Sequence, residues 1–160
     1  MARGRALVPT YPAGVPVDVV TEITIARPVG DVAAYAGDPS HAPDWYVNIR
    51  SVEWETPPPV EVGSRMRFVA RFLGRELAYT YEVVALDPGR RLVMRTAQGP
   101  FPMETTYTWE PSGDGATCMA LRNRGEPAGF SKLAAPFMSM ATRRANRKDL
   151  ITLRRVLEGA

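Results

Sequence analysis

Cysteine, histidine and long apolar runs are scarce in this sequence, and each scarcity excludes a class of protein. Cys118 is the single cysteine among 160 residues, so the chain cannot form an intramolecular disulfide. A reduced thiol is typical of the cytoplasm, and we expect a cytoplasmic protein. No apolar run approaches the roughly 20 residues that a membrane-spanning helix needs, so we expect no integral membrane association.

Metal ligands are equally scarce. His41 is the only histidine, and it lies in the segment DPSHAPDW, three residues from both Asp38 and Asp44. A lone histidine without a cysteine or carboxylate cluster does not supply the ligand set of a zinc site. Capping and loop roles account for both aspartates. We therefore expect no metal and no cofactor.

The composition is that of one modestly basic domain. The formal net charge is +3, and 18 of the 20 basic residues are arginine. The C-terminal arginines form a solvated helix face, and no aromatic platform accompanies them, so we expect no nucleic-acid partner. Residues 1–17 contain two arginines and no sustained apolar segment, and we expect a mobile leader there. Residues 18–160 then form a single domain.

Turn residues divide the chain into one strand, two short helices, six strands and a long helix. Residues 19–26 are rich in β-branched side chains, as expected of a strand. Two short helical segments follow, with Gly37 between them. Glycine-containing turns separate the strands of residues 65–124. Residues 130–158 contain no glycine, which favours a long helix.

The alternation of side chains in residues 65–96 decides which face of the sheet is buried. A two-residue turn at Leu73-Gly74 sets Phe68 opposite Tyr79, with arginine opposite glutamate on the other face. A second two-residue turn, centred on Pro88-Gly89, sets a valine opposite a methionine on the apolar face. The register therefore predicts one apolar face and one face of crossed charge pairs.

The same register assigns the glutamates to the outer face. Glu82 falls between Arg65 and Arg95, and Glu104 is expected to pair with Arg122. Each such pair contributes only about 0 to 1 kcal/mol, so the pairs specify register more than stability. No strand carboxylate points inward, and the catalytic residues, if there are any, stay unknown.

The long helix carries two apolar stripes. One stripe is expected to lie over the apolar face of the sheet and consists of Leu133, Phe137, Met140 and Ala141. The other stripe falls nearly opposite and consists of Leu150, Leu153 and Leu157. Either the helix kinks near Asn146, or the second stripe forms a homodimer surface.

Three segments carry a family resemblance: DPSHAPDW after the first strand, GPFPMETTYTWEP in the later strands, and NRKDLITLRRVLE in the last helix. In these segments and in its order of elements, the chain resembles the START/SRPBCC superfamily, and it looks most like the polyketide cyclase/dehydrase-like group. The resemblance implies an α+β helix-grip fold. In this fold a seven-stranded curved antiparallel sheet wraps around a long C-terminal helix, with two short helices after strand 1. It also implies a cavity for an apolar small molecule.

The register and the implied fold together predict the residues around this cavity. Aromatic rings with hydroxyl tips suit an aromatic ligand, although such hydroxyls can also simply bond one another inside a core. The predicted ligand-binding residues are Phe68, Tyr79, Tyr81, Met94, Thr96, Thr105, Tyr107, Trp109, Met119, Leu133, Phe137 and Met140. The predicted rim residues are Tyr35, Trp45 and Arg75.

Four functions fit these expectations. The first is binding of a hydrophobic, aromatic or polyketide-like small molecule. The second, implied by the resemblance, is a polyketide aromatase/cyclase in which Tyr79, Tyr81 or Tyr107 transfers protons. The third is a resistance protein that sequesters a metabolite. The fourth is a co-regulator that uses the leucines of the C-terminal helix as an interface. The sequence does not decide whether a ligand is chemically converted.

Overall fold

A computed structural model describes residues 17–72, 74–99, 102–125 and 135–159. A single 3-10 turn, Pro39–His41, separates the first two helices. The described elements follow in this order: β1 Val17–Ile25, α1 Val29–Ala36, α2 Ala42–Trp45, β2 Ile49–Trp54, β3 Arg65–Phe72, β4 Arg75–Asp87, β5 Arg91–Gln98, β6 Met103–Pro111, β7 Thr117–Gly125 and α3 Ala135–Glu158. Among these helices, none has the length and apolar character to cross a bilayer.

The seven strands form one antiparallel sheet in the order β1-β7-β6-β5-β4-β3-β2. The chain therefore runs as a meander from β2 to β7, and β1 joins the far edge beside β7. Helix α3 packs across the inner face and contacts β1 and α2. The expected α+β helix-grip fold is confirmed, with both short helices between β1 and β2.

The pairing of β3 with β4 follows the predicted register. Phe72 pairs with Arg75 across the hairpin, Phe68 pairs with Tyr79, and Arg65 pairs with Glu82. Gly74 has a φ of 73°, a left-handed conformation that glycine adopts without steric cost. The apolar and charged faces of this hairpin are therefore those expected.

The second hairpin reaches the predicted register by a different route. Asp87 pairs with Arg91, so the turn between them holds three residues, one more than expected. A bulge between Val83 and Ala85 absorbs the extra residue. Val83 consequently still pairs with Met94, and Tyr81 still pairs with Thr96 as predicted.

One predicted charge pair on the outer face is wrong. Glu104 lies opposite Arg95, and the Glu104 carboxylate is 2.7 Å from the Arg95 Nε atom. Arg122 instead donates two hydrogen bonds, of 2.8 and 2.7 Å, to the carboxylate of Asp18 on β1. These hydrogen bonds lower the pKa of Asp18. Across β6 and β7, Glu104 lies opposite Arg124 and Arg122 lies opposite Thr106, so the predicted register of this pair of strands differs by two residues.

Helix α3 has one buried face, and it contains the leucines that the sequence placed nearly opposite the stripe over the sheet. Leu150 and Leu153 are 1% and 0% exposed and belong to the core, whereas Phe137 and Met140 are 75% and 67% exposed. The helix runs unbroken from Ala135 to Glu158. Because Phe137 and Met140 do not face the sheet, no kink is needed to bury the leucines, and a homodimer surface cannot be built from Leu150 and Leu153.

We expect Leu153→Ala to destabilise the protein by about 2 to 5 kcal/mol, because it leaves a cavity in a closely packed core. The matched control is Val156→Ala on the same helix, where 42% of the side chain is exposed. The control should change the free energy of unfolding by less than about 0.5 kcal/mol. Urea unfolding of both variants measures the difference, and equal effects would contradict this packing.

Candidate functional site

A cavity of about 220 Å³ lies between the inner face of the sheet and α3. Aromatic and aliphatic side chains of β3, β4 and β5 form much of its wall. Seven of the residues predicted for ligand binding line this cavity: Phe68, Tyr79, Tyr81, Met94, Thr96, Thr105 and Tyr107. Each of them has the inward orientation that the strand register predicts.

Other predicted cavity residues lie elsewhere. Trp109 and Met119 are buried in the core, 3% and 0% exposed, but they do not line the cavity. Helix α1 covers this part of the sheet, and a Cβ at Gly37 would lie 3.3 Å from the Trp109 ring. Leu133 lies outside the described residues.

The three predicted rim residues do not line the cavity either. Tyr35 stacks on His41 with 4.1 Å between ring centroids, and its hydroxyl donates to Asp44 at 3.0 Å. Trp45 is 1% exposed and is therefore a core residue. Arg75 is exposed beside the hairpin turn.

The predicted helix face is wrong except for Ala141. Phe137 and Met140 point to solvent. The side chains of α3 that line the cavity are mostly small or polar: Met138, Ala141, Thr142, Ala145, Asn146 and Asp149. They recur every three or four residues, and Leu150 and Leu153 continue the same buried face.

One of the two aspartates near His41 has the capping role that we expected. Asp38 accepts a hydrogen bond from the Ser40 backbone N–H at 2.9 Å and so caps the 3-10 turn. His41 Nδ1 lies 3.4 Å from the carboxylate of Asp44. Within the described parts of the chain, no group of three or more histidine, cysteine, aspartate or glutamate side chains is arranged to hold a metal ion.

A chain of buried hydrogen bonds crosses the cavity wall from β4 to α3. The hydroxyls of Tyr81 and Thr105 lie 3.2 Å apart, and Thr105 donates to Asn123 Oδ1 at 2.9 Å. Asn123 Nδ2 then donates to Asn146 Oδ1, also at 2.9 Å. The Nδ2 group of Asn146 is buried without a hydrogen-bond partner in the described structure. Among the described residues, this series of hydrogen bonds therefore ends at a donor without an acceptor.

Tyr46 is a lining residue that the sequence reasoning missed. Its hydroxyl is hydrogen-bonded to the hydroxyl of Tyr107. Burial raises the pKa values of Tyr46, Tyr79 and Tyr107 above the ordinary value of 10.0. These phenols are therefore neutral at physiological pH, and they supply hydrogen bonds rather than charge.

Asp149 is another lining residue that was not predicted, and it is the only carboxylate that lines the cavity in the described structure. It is 4% exposed, and its Oδ1 atom accepts a hydrogen bond from the Val47 backbone N–H at 2.9 Å. Burial raises the pKa of Asp149 to about 6, although the Val47 N–H and the charge of Lys148 act in the opposite direction. The expectation that no carboxylate points inward holds for the strands but not for α3.

The raised pKa of Asp149 predicts a pH dependence of stability. The folded protein keeps this proton up to about pH 6, whereas the ordinary pKa is 3.8, so stability is lost as the pH rises from about 4 to above 6. Asp149→Asn removes this loss. The free energy of unfolding of this variant should improve relative to wild type by about 2 kcal/mol between pH 4 and pH 8. Urea unfolding at both pH values measures this, and a constant difference would refute the raised pKa.

Solved structures with the same fold come from several bacteria. A protein from Thermus thermophilus superposes with a TM-score of 0.77 at 20% identity, covering 89% of this chain and 97% of that chain. A START superfamily protein from Mycobacterium smegmatis gives 0.76 at 15% identity, covering 89% and 97%. The Zhui aromatase/cyclase from Streptomyces sp. R1128 gives 0.74 at 18% identity, covering 88% and 93%.

Sequence comparison supplies the family. No curated protein matches the sequence at a significant level. The family described as polyketide cyclase / dehydrase and lipid transport matches residues 16–158, which is most of the chain. Together with the helix-grip sheet and α3, this match shows that the chain belongs to the polyketide cyclase/dehydrase and lipid transport family of START/SRPBCC-type proteins.

Proposed function

We propose that this protein binds a hydrophobic, aromatic or polyketide-like small molecule between the sheet and α3. The observation that carries the proposal is the cavity itself, with its largely apolar wall and a few convergent polar groups. Such a combination is typical of small-molecule sites, because apolar surface supplies affinity and the polar groups set orientation. Family membership supports the same conclusion.

The cavity volume favours a small ligand. An engineered protein cavity of about 150 Å³ accommodates benzene, and typical ligand pockets begin at about 300 Å³. The 220 Å³ here lies between these values. We therefore infer a ligand, or a ligand portion, about the size of two fused rings.

The alternative, a core whose hydroxyls only bond one another, explains part of the wall. Tyr81, Thr105 and Asn123 do bond one another. An interior filled by its own side chains would leave neither this volume nor the unpaired amide of Asn146. A ligand accounts for both.

Filling the cavity should abolish binding of a naphthylamine fluorophore. Ala70 lines the cavity and is 7% exposed, so Ala70→Phe places a ring in the free volume. Ala78→Phe is the matched control, because Ala78 is exposed on the adjacent strand. Fluorescence titration should detect binding to the wild type and to the control but not to Ala70→Phe. Equal binding by all three proteins would place the fluorophore elsewhere and refute the proposal.

A second function, an aromatase/cyclase type of enzyme, is favoured by Asp149. Aldol closure and dehydration need a group that exchanges protons near neutral pH. The pKa of Asp149 is raised to about 6 by burial, whereas burial raises the pKa values of Tyr79 and Tyr107 further from neutrality. If the ligand is converted, we infer that Asp149 transfers the protons and that the tyrosines orient the substrate.

This enzymatic hypothesis predicts that Asp149→Asn lowers turnover of a synthetic poly-β-ketone thioester by about 10² to 10⁴-fold. The matched control is Asp44→Asn, since Asp44 bonds Tyr35 outside the cavity. Chromatography of cyclised products measures turnover, and the control should equal wild type. Full turnover by Asp149→Asn would exclude the assigned role. Naphthylamine binding without any wild-type turnover would instead favour sequestration.

A further inference from the structure

We propose that Asn146 and Asp149 form a two-point recognition site for a hydroxycarbonyl group. The ligand's carbonyl oxygen accepts a hydrogen bond from Asn146 Nδ2, and its hydroxyl bonds Asp149 Oδ2. This inference rests on the proposed ligand-binding function and deepens it, because it names the polar group that the ligand carries.

The first point is the unpaired amide of Asn146. This side chain is 4% exposed and lines the cavity. Its Oδ1 atom is occupied by Asn123, but its Nδ2 group has no hydrogen-bond partner among the residues described. Buried N–H groups are nearly always paired, because leaving one unpaired in an apolar environment is costly. A ligand atom in the cavity is the partner that the site lacks.

The direction of the hydrogen-bond chain decides which atom of Asn146 points at the ligand. The Thr105 hydroxyl donates to Asn123 Oδ1, and Asn123 Nδ2 donates to Asn146 Oδ1. Asn146 is thereby left with its N–H donors for the cavity. The ligand atom at this position must be an acceptor.

The second point is the carboxyl of Asp149, one helical turn further along α3. Residues three positions apart share a helix face, with their Cβ atoms about 5 to 6 Å apart, so one ligand fragment can reach both side chains. The Oδ1 atom of Asp149 accepts a hydrogen bond from the Val47 backbone N–H at 2.9 Å. No hydrogen bond from the described residues occupies Oδ2. The side chain is 4% exposed and lines the same cavity.

The two groups together select for a particular chemistry. A neutral amide donor matches a carbonyl oxygen, and a carboxyl group bonds a hydroxyl whether or not it carries its proton. A hydrocarbon leaves both groups unpaired, and a simple ketone pairs only one. A compound with a hydroxyl near its carbonyl, on a skeleton of about two rings, pairs both.

The test uses the wild-type protein and three two-ring probes: tetralin, α-tetralone, and a tetralone with a hydroxyl on the carbon β to the carbonyl. Calorimetry or competition with the naphthylamine fluorophore gives each affinity. In the wild type, we expect each added polar group to tighten binding about tenfold, as one more buried hydrogen bond would. For each variant we compare the affinities of two probes for the same protein. A substitution that changes the cavity in general affects both probes alike, so the ratio of their affinities is unchanged.

Two variants assign each gain to its residue. Asn146→Leu should abolish the preference for α-tetralone over tetralin, whereas the control Thr152→Val, on the same helix but outside the cavity lining, should keep it. Asp149→Leu should abolish only the additional gain from the hydroxyl. The carbonyl stretching frequency of bound α-tetralone gives a direct second readout. The frequency should be lowered in the wild type and in Thr152→Val but not in Asn146→Leu.

The outcomes separate this inference from the proposed function. If tetralin does not bind the wild type, the ligand-binding function fails and this inference fails with it. If tetralin binds but α-tetralone binds no tighter and its carbonyl frequency is unshifted, the cavity is a ligand site and the role of Asn146 is wrong. If the hydroxyl adds nothing in the wild type, the role of Asp149 is wrong.

Discussion

The backbone pairing of Phe72 with Arg75 is the constraint on which the interior depends. Side chains alternate between the faces of a strand, so a shift of one residue would exchange every inward and outward position of β4. With this pairing, Tyr81 is buried and its neighbour Glu82 lies outside beside Arg65. The aromatic wall of the cavity and the charged outer surface are thus two results of one register.

The sheet could be predicted from the sequence because its signals are local. Turn residues and a period of two specify pairing over short distances, and even the longer turn after Asp87 was compensated by a bulge within a few residues. The mistaken ion pair, at Glu104, depended on the register between β6 and β7, where Glu104 lies opposite Arg124 and not Arg122.

The orientation of α3 could not be predicted by the same reasoning. Apolar periodicity finds the buried face of a helix only where that face packs against other side chains. Here the part of α3 from Met138 to Asp149 borders free volume, and its inward positions hold Asn146 and Asp149, while Phe137 and Met140 point outward. Amphipathicity therefore indicated the wrong face in the part of the helix that lines the cavity.

The bond between Val47 and Asp149 joins two segments that are 102 positions apart in the chain. Val47 is 57% exposed, whereas the carboxylate that its backbone N–H contacts belongs to a residue that is 4% exposed. The charge on that carboxylate changes when it gains a proton, and its surroundings change when a ligand binds. The Val47 amide resonance is consequently a natural spectroscopic sensor of events inside the cavity.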